Sequence, residues 1–281
     1  MELTSTFLKL KNGKKFSTPS LVYNLNGGQI NYISKNQINL SNNFTSDHLE
    51  CFYDCFDVNP LDENTILYLK DYSKNKHLSS SEKFHSIHSQ TCHKKLTTKM
   101  FFENALKLES KILVSPIALG SLNYWKSQKR NDNFLKELIK LKEDSKLNNK
   151  NLNLDLFAVV DGGLDIEKRA MMSFTVFSNF DKDVSGYCLP FFHDLENEDT
   201  EEVNFDDKKR NIEPLLSETL KHLPANKPKL ALGIRTWRDL QTLLKLGIDL
   251  IDTNFFLEKL SKNGVALIIK DVNEVVNVMH A

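Results

Sequence analysis

The 281-residue sequence contains no apolar run that reaches the roughly 20 residues a membrane-spanning helix needs. Its start, Met1-Glu2-Leu3-Thr4-Ser5, carries no basic segment followed by an apolar one, so no secretory leader is expected. Cysteine is scarce. The four present lack the spacing of a disulfide framework and fit a reducing compartment, so a cytoplasmic chain is expected. An excess of either charge is also missing, since 37 Lys and Arg balance 37 Asp and Glu. Nucleic-acid affinity is largely electrostatic, and a chain that gripped RNA unaided would normally carry a basic surplus.

What the sequence does have is the make-up of a globular protein, 40% hydrophobic and 26% charged, on a length that suits one large α/β domain spanning residues 1–281. Its longest charge run is acidic, with Asp194, Glu196, Glu198, Asp199, Glu201, Glu202, Asp206 and Asp207 in one stretch. This reads as a solvated loop; a sharper reading is a surface that repels phosphate.

The first third reads as strands and loops. Lys11-Asn12-Gly13-Lys14 is a hairpin turn, Thr18 to Tyr23 a strand entered through a proline, and Asn26-Gly27-Gly28 a break. Ser46 to Val58 is expected as a helix and Thr65 to Leu69 as a strand, while 71–98 is polar and carries little signal. From about Thr97 the pattern becomes regular. Helices are expected over Lys99–Leu108, Asn131–Glu143, Leu164–Phe177 and Lys209–His222, with another opened by Thr236 and Asp239 and stopped by Gly247. Between them lie short apolar strands at Ile112–Val114, Leu156–Val160, Gly186–Leu189, Leu230–Leu232 and Ile248–Asp252, and Lys142–Asn153 is expected as a loop. Strands that alternate with helices pair in parallel, and continuously apolar strands are covered on both faces. A (β/α)8 TIM-type barrel after an N-terminal β-rich segment is therefore expected, with a doubly wound open sheet as the alternative.

Several segments, in order, resemble the tRNA-guanine transglycosylase family. Leu223-Pro224-Ala225-Asn226-Lys227-Pro228-Lys229 is similar to its LP-x-x-KPR segment. Gly233 to Leu240 is similar to its GV-x-x-P-x-DL, and Gly247-Ile248-Asp249-Leu250-Ile251-Asp252 to its GVDMFD. Upstream, Gly162-Gly163-Leu164-Asp165-Ile166-Glu167-Lys168-Arg169 resembles GG-x-x-x-x-LR, and Thr18-Pro19 with Gly27-Gly28 resembles the entry to the first barrel strand. The resemblance implies a barrel whose catalytic members exchange a guanine base in tRNA through a carboxylate nucleophile at the position of Asp252.

The departures from that pattern point to the family's non-catalytic accessory members. After Asp252 the chain reads Thr253-Asn254-Phe255-Phe256-Leu257, where catalytic members have Cys-Val-x-Pro-Thr-Arg. Their Asp-Ser-Gly-Gly-Phe-Gln motif has no counterpart in residues 65–110, and a second Asp expected within Ile112–Leu119 is missing. Asp161 stands where a Gln precedes the Gly162-Gly163 pair, and Leu189-Pro190-Phe191-Phe192 replaces a Gly-Gly-Leu. A base pocket selects through fixed donors and acceptors, so losing them removes recognition even though one carboxylate survives. No confident catalytic residue is therefore expected. Asp252 holds the nucleophile position but is read as inactive, and Asp161, Gly162 and Gly163 hold the pocket position.

The family's zinc ligands, a Cys-x-Cys-x-x-Cys cluster and a later His, do not occur in the sequence. No metal site is expected here, although the resemblance implies zinc in full-length members. Cys51, Cys55, His85, His88, Cys92 and His93 are read as half-buried thiols and solvent-facing imidazoles rather than as a replacement site. Trp125, Lys126, Lys129 and Arg130 are read as a solvated helix start rather than an RNA- or partner-contacting edge. The resemblance implies a heterodimer with a catalytic subunit and tRNA engaged through that complex. It further implies exchange of guanine for queuine at the wobble position, with peripheral association at the mitochondrial outer membrane. The alternatives are a divergent active transglycosylase using Asp252, and an inactive fragment.

Overall fold

Strands in which every residue is buried need cover on both faces, and Ile112–Val114, Asp155–Val159, Gly186–Pro190 and Lys229–Leu232 are all of this kind. The computed structural model describes residues 6–9, 11, 15–24, 44–48, 82–86, 97–107, 110–115, 124–147, 153–163, 165–191, 211–234 and 236–252. An antiparallel hairpin comes first, β1 (Thr6–Lys9) with β2 (Lys15–Thr18), followed by a cis Thr18–Pro19 bond. Then come β3 (Ser20–Asn24), β4 (Phe44–His48), β5 (Glu82–Ser86), β6 (Ile112–Val114), β7 (Asp155–Val159), β8 (Gly186–Pro190), β9 (Lys229–Leu232) and β10 (Leu250–Asp252). These eight close into a barrel in chain order, every pair parallel, with β10 bonded to both β9 and β3. Closure excludes the open sheet. The four strands expected as parallel neighbours, β7 to β10, are neighbours.

The described crossovers are helical: α1 (Thr98–Lys107), α2 (Tyr124–Leu147), α3 (Ile166–Phe180), α4 (Glu213–Lys221) and α5 (Trp237–Lys245). Val22, Ile112, Val114, Phe157, Val159, Cys188, Leu230, Leu232 and Leu250 form one buried cluster. The residues between them, Leu113, Leu156, Ala158, Tyr187, Leu189, Ala231 and Ile251, are buried too, as side chains that alternate across a helix-covered sheet must be. Local chemistry sets the helix starts. Asp165 accepts the Lys168 amide at 3.1 Å to open α3. Thr236 and Asp239 close the expected capping box at the head of α5, and Gly247 follows that helix at φ +73°.

Three expectations need correction. Residues 44–48 are strand β4, so no helix starts at Ser46; a parallel partner on each side overrides the local helical pattern. The rest of that expected helix, the Asn26-Gly27-Gly28 break and the Thr65–Leu69 strand lie outside the described residues. The polar stretch 71–98 contains β5, which pairs with β4 and β6. Helix α2 runs to Leu147, past the expected loop start at Lys142. Lys142 is itself buried, and its long stem can cover apolar surface as part of the helix.

The N-terminal end of the barrel is stitched by side chains. The Lys11 amide donates to Asp155 Oδ2 at 3.1 Å, which ties the first hairpin to the start of β7. Asp249 Oδ2 accepts the Lys229 amide at 2.9 Å, and the Asp249 carbonyl accepts the Ser20 amide at 2.8 Å. One residue thus joins β9, β10 and β3 at the seam where the ring closes.

Candidate functional site

Parallel barrels carry their chemistry at the C-terminal ends of the strands, so the candidate residues are those that follow β6, β7, β8 and β10. After β7 the chain turns through Asp161-Gly162-Gly163. Asp161 Oδ1 accepts two amides of its own loop, from Gly162 at 2.7 Å and Gly163 at 3.0 Å. A short acidic side chain favours this local bonding, which competes with reaching outward. Gly162 lies at φ +147°, and a Cβ there would meet the backbone nitrogen of Arg169 at 2.6 Å. Gly163, at φ +62°, has open space around it. The pair is thus needed for backbone reasons: Gly162 for close approach, Gly163 for a left-handed turn.

Arg169 holds this loop from behind. It is wholly buried, its Nε donating to the Gly163 carbonyl at 2.6 Å and its Nη2 to the Pro190 carbonyl at 2.5 Å. Its guanidinium also lies 4.6 Å from the Phe191 ring centroid. In the sequence Arg169 stands out only as the end of a motif. Its buried fork, which joins the ends of β7 and β8, needs the fold to be seen. At the end of β6, within the segment where the resemblance implies a second carboxylate, Ser115 is buried. Its hydroxyl accepts the Val159 amide at 2.9 Å, and its own amide donates to the Phe157 carbonyl at 3.0 Å.

Asp252 is the last residue of β10, with its Cα in register with Val22 of β3; its side chain lies outside the described residues. The nucleophile position is therefore at the C-terminal end of its strand, two barrel strands away from β8. Of the cysteine and histidine cluster, His85 lies in β5, and Cys51, Cys55, His88, Cys92 and His93 lie outside the described residues. Among the described residues no group of three or more His, Cys, Asp or Glu is arranged to hold a metal, and the described thiol, Cys188, is buried in the barrel wall. Lys129 and Arg130 are exposed on α2; Trp125 and Lys126 are in its first turn, their side chains outside the described set. No described helix is long and apolar enough to cross a membrane.

Residues 6–280 match the family model of the queuine tRNA-ribosyltransferases. The chain belongs to that family. As a queuine tRNA-ribosyltransferase family member it is also similar to the queuine tRNA-ribosyltransferase accessory subunit 2 of Aedes aegypti, with 26% identity over 278 residues. The match covers 92% of this chain and 64% of the relative, so the chain spans less than two thirds of that relative's length.

Proposed function

We propose that this family member is a non-catalytic accessory subunit, which partners a catalytic subunit in replacing guanine by queuine at the wobble position of tRNA. One observation carries the reading. At the pocket position Asp161 directs a carboxylate oxygen at the amides of its own loop, where the resemblance implies a longer glutamine side chain reaching for a base. Ser115 supports it in the same way, its hydroxyl serving the β7 backbone. The likeness to a protein named as an accessory subunit supports the same division of labour. So does the lack of a net positive charge, since tRNA would then be held through the complex. Ile166, Met171, Phe174 and Phe177 leave apolar surface exposed along α3, which suits a chain that works against another surface.

In this reading the barrel carries a helix after each of its eight strands, a full (β/α)8 complement. Zinc belongs to the longer family members, whose ligand cluster this sequence lacks. The complex is cytoplasmic and peripheral at the mitochondrial outer membrane. The rival reading, an active transglycosylase, draws on Asp252, which ends a barrel strand as a nucleophile would. The two are separated by assaying guanine exchange in tRNA with this chain alone, with the catalytic subunit alone, and with both after size-exclusion chromatography. A stable heterodimer, with exchange that Asp252→Asn leaves intact, is expected. Turnover by the isolated chain that Asp252→Asn abolishes would overturn the accessory reading.

A further inference from the structure

The barrel-facing stripe of α2 changes character along its length. Leu138 and Leu135 are fully buried, as an amphipathic helix requires. Continuing toward the C-terminal end of the barrel, the same stripe presents Asp132, Asn131 and Gln128, at the spacing that brings side chains together on one helix face. Gln128 is only 7% exposed, and no described residue donates to its buried Oε1. Asn131 uses its amide nitrogen on the Val159 carbonyl at 3.3 Å, and its buried Oδ1 receives no donor from the described residues. Asp132 Oδ1 is buried in the same condition. Three acceptor oxygens therefore lie within about one turn of α2, and Asn131 ties that turn to the end of β7, two residues before Asp161.

We infer that this cluster is a binding site for an organic cation rich in N–H donors, of the guanidinium or alkylammonium class. Buried acceptors left unmet are costly, and a group that is all donor and positively charged is their chemical complement. A guanidinium offers five N–H groups in a plane and no acceptor, which suits two amide carbonyls and a carboxylate together. Burial raises the Asp132 carboxyl above its ordinary value while the nearby Lys136 charge works the other way, and a bound cation would hold it ionised. The cation could come from a free small molecule or from a basic side chain of a protein partner. The site does not depend on the accessory reading, because its acceptors are there whether or not the chain has activity.

The test uses the full chain, labelled with 15N, and follows the side-chain amide signals of Gln128 and Asn131. Ethylguanidinium is titrated into the millimolar range, with ethylurea as a neutral isostere and Ca2+ as a hard cation. Saturable shifts with ethylguanidinium alone are expected, weakened roughly tenfold or more in Asp132→Asn. Gln128→Leu should abolish binding and melt at or above the parent temperature, which shows that the variant folds. Adding the catalytic subunit separates the sources: it competes with ethylguanidinium if a protein side chain is the natural occupant, and leaves binding unchanged if a small molecule is. Either result supports the site. No saturable shift, an equal response to ethylurea, a response to Ca2+ only, or undiminished binding in Asp132→Asn would each overturn it. So would a Gln128→Leu variant that melts below the parent, since its carbonyl would then already be satisfied.

Discussion

Arg169 stacks on Phe191 with its guanidinium carbon 4.6 Å from the ring centroid, while two of its nitrogens hold the carbonyls that end β7's loop and β8. This side chain fixes the spacing of two neighbouring strand ends at the candidate site. Removing it leaves two buried carbonyls without their charged donor and opens a void. Arg169→Ala is expected to lower stability by about 3 kcal/mol or more in urea unfolding. Arg169→Lys should recover only part, because an ammonium cannot fork to both carbonyls. A lysine variant as stable as the parent would show that the fork does not matter.

Gly162 gives a sharper case, because its neighbour is backbone and cannot swing away. An added Cβ meets the Arg169 nitrogen at 2.6 Å and its Cα at 2.7 Å, at a φ few side chains adopt. Gly162→Ala should cost about 2 kcal/mol or more by thermal unfolding. Gly163→Ala meets no steric contact and should cost only about 1 kcal/mol, from its left-handed φ. Equal losses at the two positions would refute the packing argument.

At the opposite end of the barrel, Asp181 accepts the Tyr187 hydroxyl at 2.7 Å and pairs with Lys227 at 2.8 Å. Burial works to raise the Asp181 carboxyl, but the hydrogen bonds from Lys227 and Tyr187 and the Lys227 charge outweigh it and hold it below its usual value. A carboxyl whose folded pKa is depressed stabilises above its unfolded value near 3.9 and loses that contribution as pH falls through the folded one. Asp181→Asn should therefore flatten the acid limb of a stability-against-pH curve below about pH 4. Tyr187→Phe should cost about 1 kcal/mol at neutral pH. An acid limb unchanged in Asp181→Asn would remove this carboxyl from the account.

Much of this architecture was legible in the sequence because its signals are local. Short apolar runs marked β6 through β9, and the Thr236–Asp239 capping box marked the start of α5. The sequence misled where tertiary pairing decides the outcome: Phe44–His48 takes strand geometry between two parallel partners, and Glu82–Ser86 does so without an apolar signature. At the candidate site, Asp161, Gly162 and Gly163 were found through their motif. The Arg169 fork and the acceptors of Gln128, Asn131 and Asp132 were not. Their roles depend on which buried carbonyls and amides lie opposite, and sequence spacing does not report that.

Zinc is expected to be substoichiometric in purified protein, and a chelator should leave the melting temperature unchanged. The Cys-x-Cys-x-x-Cys cluster with a later His that the resemblance implies for zinc does not occur in the sequence, and the described thiol, Cys188, is enclosed in the barrel wall. Elemental analysis that finds one zinc per chain, lost when Cys92 or His93 is replaced, would show that the Cys51–His93 region holds a site after all.

The seam residue Asp249 gives the most discriminating test of how the ring is closed. Its carboxylate accepts the buried Lys229 amide at 2.9 Å, and its own carbonyl accepts the Ser20 amide, so a single residue connects β9, β10 and β3. Burial raises the Asp249 carboxyl above its ordinary value, against the lowering effect of the Lys229 amide and charge. The sign is opposite to that of Asp181. A carboxyl whose folded pKa is raised binds protons more tightly in the folded state, so stability falls as pH rises from about 3.9 through the folded value. An asparagine keeps an oxygen for the Lys229 amide and removes the desolvated charge. It also removes a charge that favours the Lys229 ammonium, which burial otherwise disfavours, and this trims the gain. Asp249→Asn should therefore be neutral to mildly stabilising at neutral pH, with its advantage shrinking as pH falls through the carboxyl's titration. Asp249→Ala leaves the Lys229 amide buried without an acceptor and should lose about 1–3 kcal/mol where the parent carboxyl is protonated, and less above its titration because the desolvated charge is removed as well. Urea unfolding of the three proteins across pH 3 to 8 separates the hydrogen bond from the charge, and an asparagine variant as damaged as the alanine one would mean that the charge itself holds the seam.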